Sequence, residues 1–319
     1  MATDFSYEAV IAAKDAEQTI AETITSLLKS DIPPRKIWVI DDGSSDQTGT
    51  VASGFDHVEV LRNAENRERS FSRNRGIKKC TAPFIQILDA DDLVAPDKSN
   101  IQLAHLRQHP TVDMVYGARV SFTGDFDPQS TETPLMYPKS TDLLEQVLTR
   151  NIIIPGMMLF RRQFFEKFGL FDESIRIAED RELIIRALIR GANVGRTPEA
   201  LTYYRRHPGS SVEQGYADGI YNGYLMFNKL FDEILAYKNG AYRQTLANSY
   251  RALARNLNIY GFPIDLIKEC LKKSEEAHPS GQIQQNYAYQ MMEETFGPQL
   301  TERILRPKFK LDHLFGRYG

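Results

Sequence analysis

The chain contains little cysteine, no long apolar run and little net charge. Its 319 residues include only Cys80 and Cys270, too few for a disulfide framework or a cysteine-based zinc site. No apolar run approaches the roughly 18 residues that span a bilayer. The N-terminal residues lack the basic flank and apolar core of a signal peptide. A net charge of -3 gives no electrostatic reason to expect a nucleic-acid partner. We therefore expect a cytoplasmic globular protein.

Short apolar runs alternate with helical patterns over residues 7–122. The runs are EAVIAAK, KIWVID, VEVL, FIQIL and DMVYGARVSF. This repeated β-α-β order predicts an α/β fold with a mostly parallel sheet flanked by helices. Asp15 with Gln18 is expected to form a capping box on the first helix, and Ser45 is expected to cap the second. Beyond residue 211 only the helical period continues, which predicts a domain over 1–211 and a helical extension over 212–319.

Two acidic motifs stand where strands end. Ligands of open α/β sheets bind outside the carboxyl ends of the strands, where VIDDGSSD and ILDADD both place their acids. Asp89 and Asp91 straddle one residue, so both side chains point the same way on an extended strand end. Such a pair suits Mg²⁺ or Mn²⁺, completed by phosphate oxygens and water. The alternative is a solvated acidic loop that ends the strand.

The other acidic motif and an arginine-rich stretch are compatible with a nucleotide. Asp41 and Asp42 at a strand end can accept hydrogen bonds from a nucleobase N–H or from ribose hydroxyls. The alternative is an ordinary strand–turn–helix junction. Guanidinium groups suit a diphosphate, although a charge-rich helix start is often a solvated face. The stretch NRERSFSRNRG contains Arg67, Arg69, Arg73 and Arg75.

Together these stretches resemble the family 2 glycosyltransferases, which share the GT-A fold. The matching pieces, in order, are VIAAKDAEQTI, IWVIDDGSSDQT, FSRNRGI, FIQILDADD, IAEDRELIIRALIRG and YYRRHPGS. The resemblance covers residues 7–211 and implies a Rossmann-like nucleotide-binding core. It implies metal-dependent, inverting transfer of a sugar from a nucleotide-sugar, with UDP-sugars favoured, to a glycan, a lipid-linked acceptor or another hydroxyl. Cell-surface polysaccharide synthesis is the implied setting.

The resemblance also assigns roles by position. Asp180 falls where the family keeps its catalytic base, and Glu179 precedes it. Acids at a helix start are also favourable with no catalysis, by about 0.3–1 kcal/mol. The implied metal ligands are Asp89, Asp91 and His207, with Asp91 preferred within the pair. The implied nucleotide-binding residues are Ala12, Lys14, Asp41, Asp42, Arg73, Asp89 and Ala90.

One departure from the family pattern affects the nucleotide site. Lys14 and Asp15 stand where the family usually has Tyr-Asn. Lys14 either reaches the diphosphate or marks altered nucleotide contacts, and the sequence leaves both open.

Three alternatives compete with the transferase. FIQILDADDLV also resembles the nucleophile motif of haloacid-dehalogenase-type phosphatases, which would leave DDGSSDQT and IAEDREL unexplained. A nucleotidylyltransferase would normally carry a glycine-rich phosphate loop, and AAKDAEQ contains no glycine. The third alternative is a catalytically inactive carbohydrate- or partner-binding protein on the same core.

The C-terminal tail offers a possible contact with a membrane. RILRPKFKLDHLFGRYG interleaves basic and apolar residues. It is suited either to peripheral contact with an anionic bilayer, at the inner face of the plasma membrane, or to packing on the helical extension. Oligomer formation stays open.

Overall fold

The computed structural model describes residues 4–127, 142–150, 153–206 and 216–279. The chain divides into two compact units, Met1–Gln214 and Gly215–Gly319. The functional division expected between residues 211 and 212 stays a prediction. Within the described ranges, no helix has both the length and the apolar content needed to cross a bilayer. His207 and the tail over 303–319 lie outside the described residues.

The first unit alternates strands with helices, as its sequence pattern predicts. Its described strands are β1 (Tyr7–Ala13), β2 (Lys36–Asp41), β3 (Val58–Arg62), β4 (Phe84–Asp89), β5 (Leu93–Val94), β6 (Met114–Thr123), β7 (Met158–Arg161) and β8 (Val194–Arg206). Its described helices are α1 (Ile20–Leu28), α2 (Thr48–Ser53), α3 (Glu68–Ile77), α4 (Lys98–Gln108), α5 (Leu143–Thr149), α6 (Arg162–Phe168) and α7 (Glu179–Ile189).

The strands form one sheet in the order β3-β2-β1-β4-β7-β6-β8-β5. Strands β1 to β4 pair in parallel, and so do β6 and β8. Strand β7 is antiparallel to both β4 and β6, and β5 is antiparallel to β8. The predicted α/β fold with a mostly parallel sheet is confirmed. Ala12 pairs with Asp89 and Ala13 with Asp41, so the two acidic motifs end at one edge.

Close packing brings α3 against strands β1 and β2 of this sheet. Val10 on β1 and Ile40 on β2 are fully buried. A Cβ on Gly76 of α3 would lie 2.4 Å from Val10 Cγ1 and 3.3 Å from Ile40 Cγ1. Only glycine therefore lets the helix approach this closely. This approach positions the polar residues of α3 beside the end of β4.

Both predicted helix caps are wrong, because their side chains join two loops instead. The N-cap residue of α1 is Thr19 and that of α2 is Gln47. Neither side chain makes a capping hydrogen bond. Asp15 adopts a φ of 48°. Its Oδ1 accepts hydrogen bonds from the backbone N–H of Ser45 (2.7 Å) and from Ser45 Oγ (3.0 Å). The loops that follow β1 and β2 are thereby tied together beside the acidic motifs.

The described part of the second unit, residues 216–279, is helical, as predicted for the C-terminal region. It contains α8 (Tyr216–Ala236), α9 (Arg243–Ile259) and α10 (Ile264–Ala277). The rings of Phe227 and Phe231 on α8 contact Tyr250 on α9, with centroids 5.9 and 5.6 Å apart. These apolar positions recur at helical spacing and form the interior of the unit.

A lysine is buried at the start of α4. Lys98 is 1% exposed, and its Nζ donates to Gln86 Oε1 (2.5 Å) and Gln102 Oε1 (2.8 Å). Burial lowers the pKa of Lys98 from 10.5 to about 7. The unfolded chain therefore binds more protons than the folded chain between these two values. Stability contributed through Lys98 must rise with pH across that window.

We expect Lys98→Met to remove this pH dependence. Between about pH 7 and about pH 9.5, the free energy of unfolding of the wild type should rise by about 3 kcal/mol relative to the variant. Urea unfolding of both proteins at the two pH values measures this difference. The same pH dependence in both proteins would mean that Lys98 is protonated in the fold.

Candidate active site

A cleft of about 740 Å³ opens at the carboxyl edge of the sheet. It is lined by the ends of β1, β4 and β8, by the loop before α3 and by α3 itself. Seven of the residues predicted from the sequence meet there: Ala12, Lys14, Asp42, Arg73, Asp89, Ala90 and Asp91. Asp41, Glu179 and Asp180 do not belong to the lining. The two acidic motifs thus share one concave site, as their positions at strand ends predict.

The two acids of the first motif have different environments. Asp42 lines the cleft, and its Oδ1 accepts hydrogen bonds from Asn63 Nδ2 (2.6 Å) and the backbone N–H of Arg67 (2.9 Å). Asp41 is fully buried, and its two oxygens accept from the backbone N–H of Ser44 (2.9 Å) and from Arg62 Nη1 (2.8 Å). Asp41 therefore holds the turn, and Asp42 is the acid that a ligand can meet.

The second motif contains one acid of a different kind. Asp89 and Asp91 line the cleft, whereas Asp92 is fully buried. Asp92 Oδ1 accepts from the backbone N–H of Arg205 (3.0 Å). Burial raises the pKa of Asp92 well above its usual value, and the charges of Asp91 and Asp89 add to this effect. Asp92 therefore stabilises the turn from within the fold, whereas Asp89 and Asp91 face the cleft. This difference in part explains why three acids stand together here.

Hydrogen bonds from several elements fix the backbone of this acidic turn. Thr19 Oγ1 and Thr23 Oγ1 donate to the carbonyl oxygen of Ala90, at 2.8 and 3.0 Å. Arg205 Nε donates to the carbonyl oxygen of Asp91 (3.0 Å), and Arg205 Nη1 to that of Gly124 (2.6 Å). Sequence reasoning missed these contacts, although Arg205 lies within YYRRHPGS. The turn is thus held before any ligand arrives.

The donor set suits a hard divalent cation only in part. Asp89 and Asp91 supply carboxylate oxygens to the cleft. The described part of the chain holds no cluster of three or more His, Cys, Asp or Glu side chains able to bind a metal. Mg²⁺ is commonly held by one or two carboxylates plus substrate phosphates, and the pair fits that pattern. His207, the third ligand expected from the sequence, lies outside the described residues.

Arg73 connects the acidic turn to α7. Its side chain is 1% exposed, with Nη2 2.5 Å from Asp89 Oδ1 and Nη1 2.6 Å from Glu179 Oε1. These two carboxylates hold the pKa of Arg73 above its usual value despite burial. The guanidinium expected to face a nucleotide is thus bound to two acids of the protein.

Asp180 lies next to this ion pair, at the start of α7. Only 6% of it is exposed, and its Oδ1 accepts from the backbone N–H of Arg181 (2.7 Å). Burial raises its pKa to about 7, and the charge of Glu179 adds to the effect while Arg73 opposes it. The preceding residue, Ala178, has a φ of 70°, a conformation that is rare outside glycine. A carboxyl group with this pKa can exchange a proton near neutral pH.

Lys14 occupies the cleft wall at the end of β1. Its Nζ lies 3.3 Å from the carbonyl oxygen of Gly43 and 3.3 Å from Asp15 Oδ2. The side chain is 40% exposed, so its charge remains accessible to a ligand.

The sequence profile of the glycosyl transferase family 2 matches residues 8–169. This match spans half of the chain. The chain belongs to family 2 of the glycosyltransferases. The resemblance drawn from its motifs is thereby confirmed, and the phosphatase alternative is excluded.

Relatives support this family membership over most of the chain. The uncharacterised glycosyltransferase EpsJ of Bacillus subtilis (strain 168) is 28% identical over 313 residues, which cover 93% of this chain and 88% of EpsJ. The succinoglycan biosynthesis protein ExoU of Rhizobium meliloti (strain 1021) is 30% identical over 200 residues, 57% of either chain.

Solved structures support the fold. The crystal structure of residues 1–349 of S. aureus TarS in complex with UDP-GlcNAc matches with a TM-score of 0.63 at 17% identity. The match covers 86% of this chain and 89% of the TarS chain. At this identity the likeness shows that this family 2 enzyme has the GT-A-type fold. It does not identify the ligand.

Proposed function

We propose that this glycosyltransferase transfers a sugar from a UDP-sugar to a hydroxyl of a glycan or lipid-linked acceptor during synthesis of a cell-surface polysaccharide. The meeting of Asp42, Asp89 and Asp91 in one cleft carries the proposal. ExoU is named for succinoglycan biosynthesis, which supports the pathway. The UDP-GlcNAc in the TarS structure supports the donor.

We assign the nucleoside to the Asp42 side of the cleft. Asn63 and the backbone of Arg67 fix the orientation of the Asp42 carboxylate. A carboxylate at a strand end can accept hydrogen bonds from ribose hydroxyls or a base N–H. Lys14, accessible in the same lining, is the cation that we assign to the diphosphate.

We assign a Mn²⁺ or Mg²⁺ ion to Asp89 and Asp91. When bound, the ion neutralises charge on the departing diphosphate. The role of the protein is to hold both carboxylates in place, which Thr19, Thr23 and Arg205 do through the backbone of the turn. His207 remains a proposed third ligand.

We assign the general base to Asp180. With its pKa raised to about 7, its carboxylate can accept the proton of the acceptor hydroxyl near neutral pH. The acceptor oxygen attacks the anomeric carbon from the face opposite the diphosphate. The bond from that carbon to the diphosphate oxygen breaks, and the anomeric configuration is inverted. Because Asp180 is outside the cleft lining, substrate binding has to bring the hydroxyl within about 2.6–3.2 Å of it.

Nucleoside-diphosphate release from UDP-, TDP- and GDP-sugars with Mn²⁺, with and without glycan acceptors, tests the proposal. We expect one UDP-sugar to be turned over, and Asp91→Asn to lower the rate by about 10²-fold or more. Asp56→Asn makes the same chemical change at an exposed position outside the cleft and should leave the rate unchanged.

Other outcomes of this assay would contradict the proposal. If UDP-sugars bind but none is turned over with any acceptor, the chain is a binding protein on a transferase core. If UDP does not bind and Mn²⁺ makes no difference, the assignment of the cleft to a UDP-sugar is wrong.

A further inference from the structure

Arg73, the most deeply buried cation of the cleft lining, is bound to carboxylates of the protein itself. Both terminal nitrogens of Arg73 are taken by Asp89 and Glu179, at 2.5 and 2.6 Å. Its guanidinium also lies 5.4 Å from the ring centroid of Phe171. The side chains of Arg73 and Glu179 are 2% and 3% exposed, and burying two such charges is costly unless they compensate each other. The arrangement is therefore a built connection between the end of β4 and the start of α7.

Neighbouring residues of α3 strengthen the same connection. Asn74 Oδ1 accepts from the backbone N–H of Phe171 (3.0 Å), and Asn74 Nδ2 donates to the carbonyl oxygen of Phe171 (3.0 Å) and to Glu173 Oε1 (2.9 Å). The segment leading into α7 is thus fixed to α3. Gly76 in turn sets α3 against the sheet. Helix α3 therefore joins the acidic turn of the cleft to the helix that begins with Glu179 and Asp180.

We propose that Arg73 is a positioning residue, which holds Asp89 and the start of α7 in one fixed arrangement through Glu179, and does not bind the nucleotide. Glu179 is then the anchor of Arg73 and not a second base. This inference rests on the proposed function, because it concerns how Asp180 is placed for that reaction. It departs from the role of Arg73 that the family resemblance implies.

The charges around Asp180 give the proposal a further consequence. Asp180 is influenced by Glu179 beside it on α7, by Arg73 on α3 and by Asp89 on β4, and it accepts from the backbone N–H of Arg181. Arg73 is the positive charge that opposes the effects of burial and of the two other acids. Removing Arg73 should raise the pKa of Asp180. If the rate needs the ionised carboxylate, the loss of rate on acidification should then begin at a higher pH than in the wild type.

Arg73→Gln, with Arg69→Gln as its matched control, tests the proposal. Arg69 lies one turn earlier on α3, lines the cleft, and approaches Glu179 only to 3.9 Å with 36% of its side chain exposed. For Arg73→Gln we expect the Kd for UDP, measured with EDTA in place of Mn²⁺, to stay within about threefold, and kcat with Mn²⁺ to fall by about 30-fold or more. The acidic limb of its pH profile should move to higher pH. The opposite pattern, a Kd raised about tenfold with kcat nearly unchanged, would show that Arg73 binds the diphosphate.

Two further measurements keep the test decisive. In the variant Arg73→Gln/Glu179→Gln, which leaves no unpaired partner between the two, we expect kcat to fall no further than in Arg73→Gln alone. Independent losses that multiply would overturn the proposal. Hydrogen exchange of the amides of residues 182–185 needs no substrate. It should be faster in Arg73→Gln and unchanged in Arg69→Gln, and unchanged exchange in both would overturn the proposal even if no sugar is transferred.

Discussion

Asp180→Asn is expected to lower kcat by about 10³-fold, which is the effect of removing a general base. The amide has nearly the shape of the carboxyl group and can still accept from the backbone N–H of Arg181. It cannot take a proton from the acceptor hydroxyl. The Kd for UDP, which we assign to Asp42 and Lys14 in the cleft lining, should stay within about threefold. Calorimetry with UDP and initial rates at saturating donor measure the two quantities.

The pH profile separates Asp180 from its neighbour. The base must be ionised, and burial raises the pKa of Asp180 to about 7, so the rate of the wild type should fall as pH drops below that value. The residual rate of Asp180→Asn should lack this acidic limb. Glu179→Gln should keep the limb, because the base is still present. If Glu179→Gln loses the limb and Asp180→Asn keeps it, the base is Glu179.

The stability of Asp180→Asn provides the control for folding. A carboxyl group whose pKa is raised in the fold binds more protons when folded than when unfolded, between pH 3.8 and about 7. Its contribution to stability is therefore lost as pH rises through that window. At pH values above the window, the neutral amide avoids a buried charge. We expect the variant to melt at a higher temperature than the wild type there, so a lower melting temperature would mean that lost folding explains lost activity.

The sequence predicts the part of the site that strand ends create. Parallel strands end at a common edge, and a ligand is expected there. The apolar runs before Asp42 and Asp89 therefore suffice to bring these acids into one cleft. The period of the apolar residues likewise predicts α7 and the three helices described in the second unit. These features depend on local pattern and on the general geometry of sheets.

The remainder depends on contacts between residues far apart in the chain. Sequence spacing cannot show that the Asp41 side chain is buried while that of Asp42 faces the cleft. Adjacent side chains at a strand end point in different directions, and the sequence does not tell which one meets the ligand. It cannot show that Asp15 meets Ser45, across two loops, in place of capping a helix. The burial of Arg73 requires a partner 106 residues away. Charged residues in a helical pattern are read as solvated, and that interpretation fails wherever a distant element covers them.

The sequence pattern also does not reveal a buried ion pair on α7, between Arg186 and Glu182. Arg186 and Glu182 are spaced by one helical turn, and their side chains are only 10% and 3% exposed. Arg186 donates to Glu182 Oε1 (2.7 Å) and Oε2 (2.9 Å). It also donates to the carbonyl oxygens of Phe168, at the end of α6, and Leu170. One guanidinium therefore joins the two helices and satisfies four acceptors.

Arg186→Met is expected to destabilise the fold by about 3–5 kcal/mol, because it leaves the carboxylate of Glu182 buried without a partner. Urea unfolding measures the loss. The pair Arg162–Glu166 has the same spacing but is 43% and 57% exposed, so Arg162→Met should cost about 0.5 kcal/mol. Equal losses in the two variants would contradict the expectation. Because the buried cost belongs to the unpaired charge, Arg186→Met/Glu182→Met should regain much of the loss. Its kcat would then report whether the first turn of α7, with Glu179 and Asp180, depends on this ion pair for its position or only for its stability.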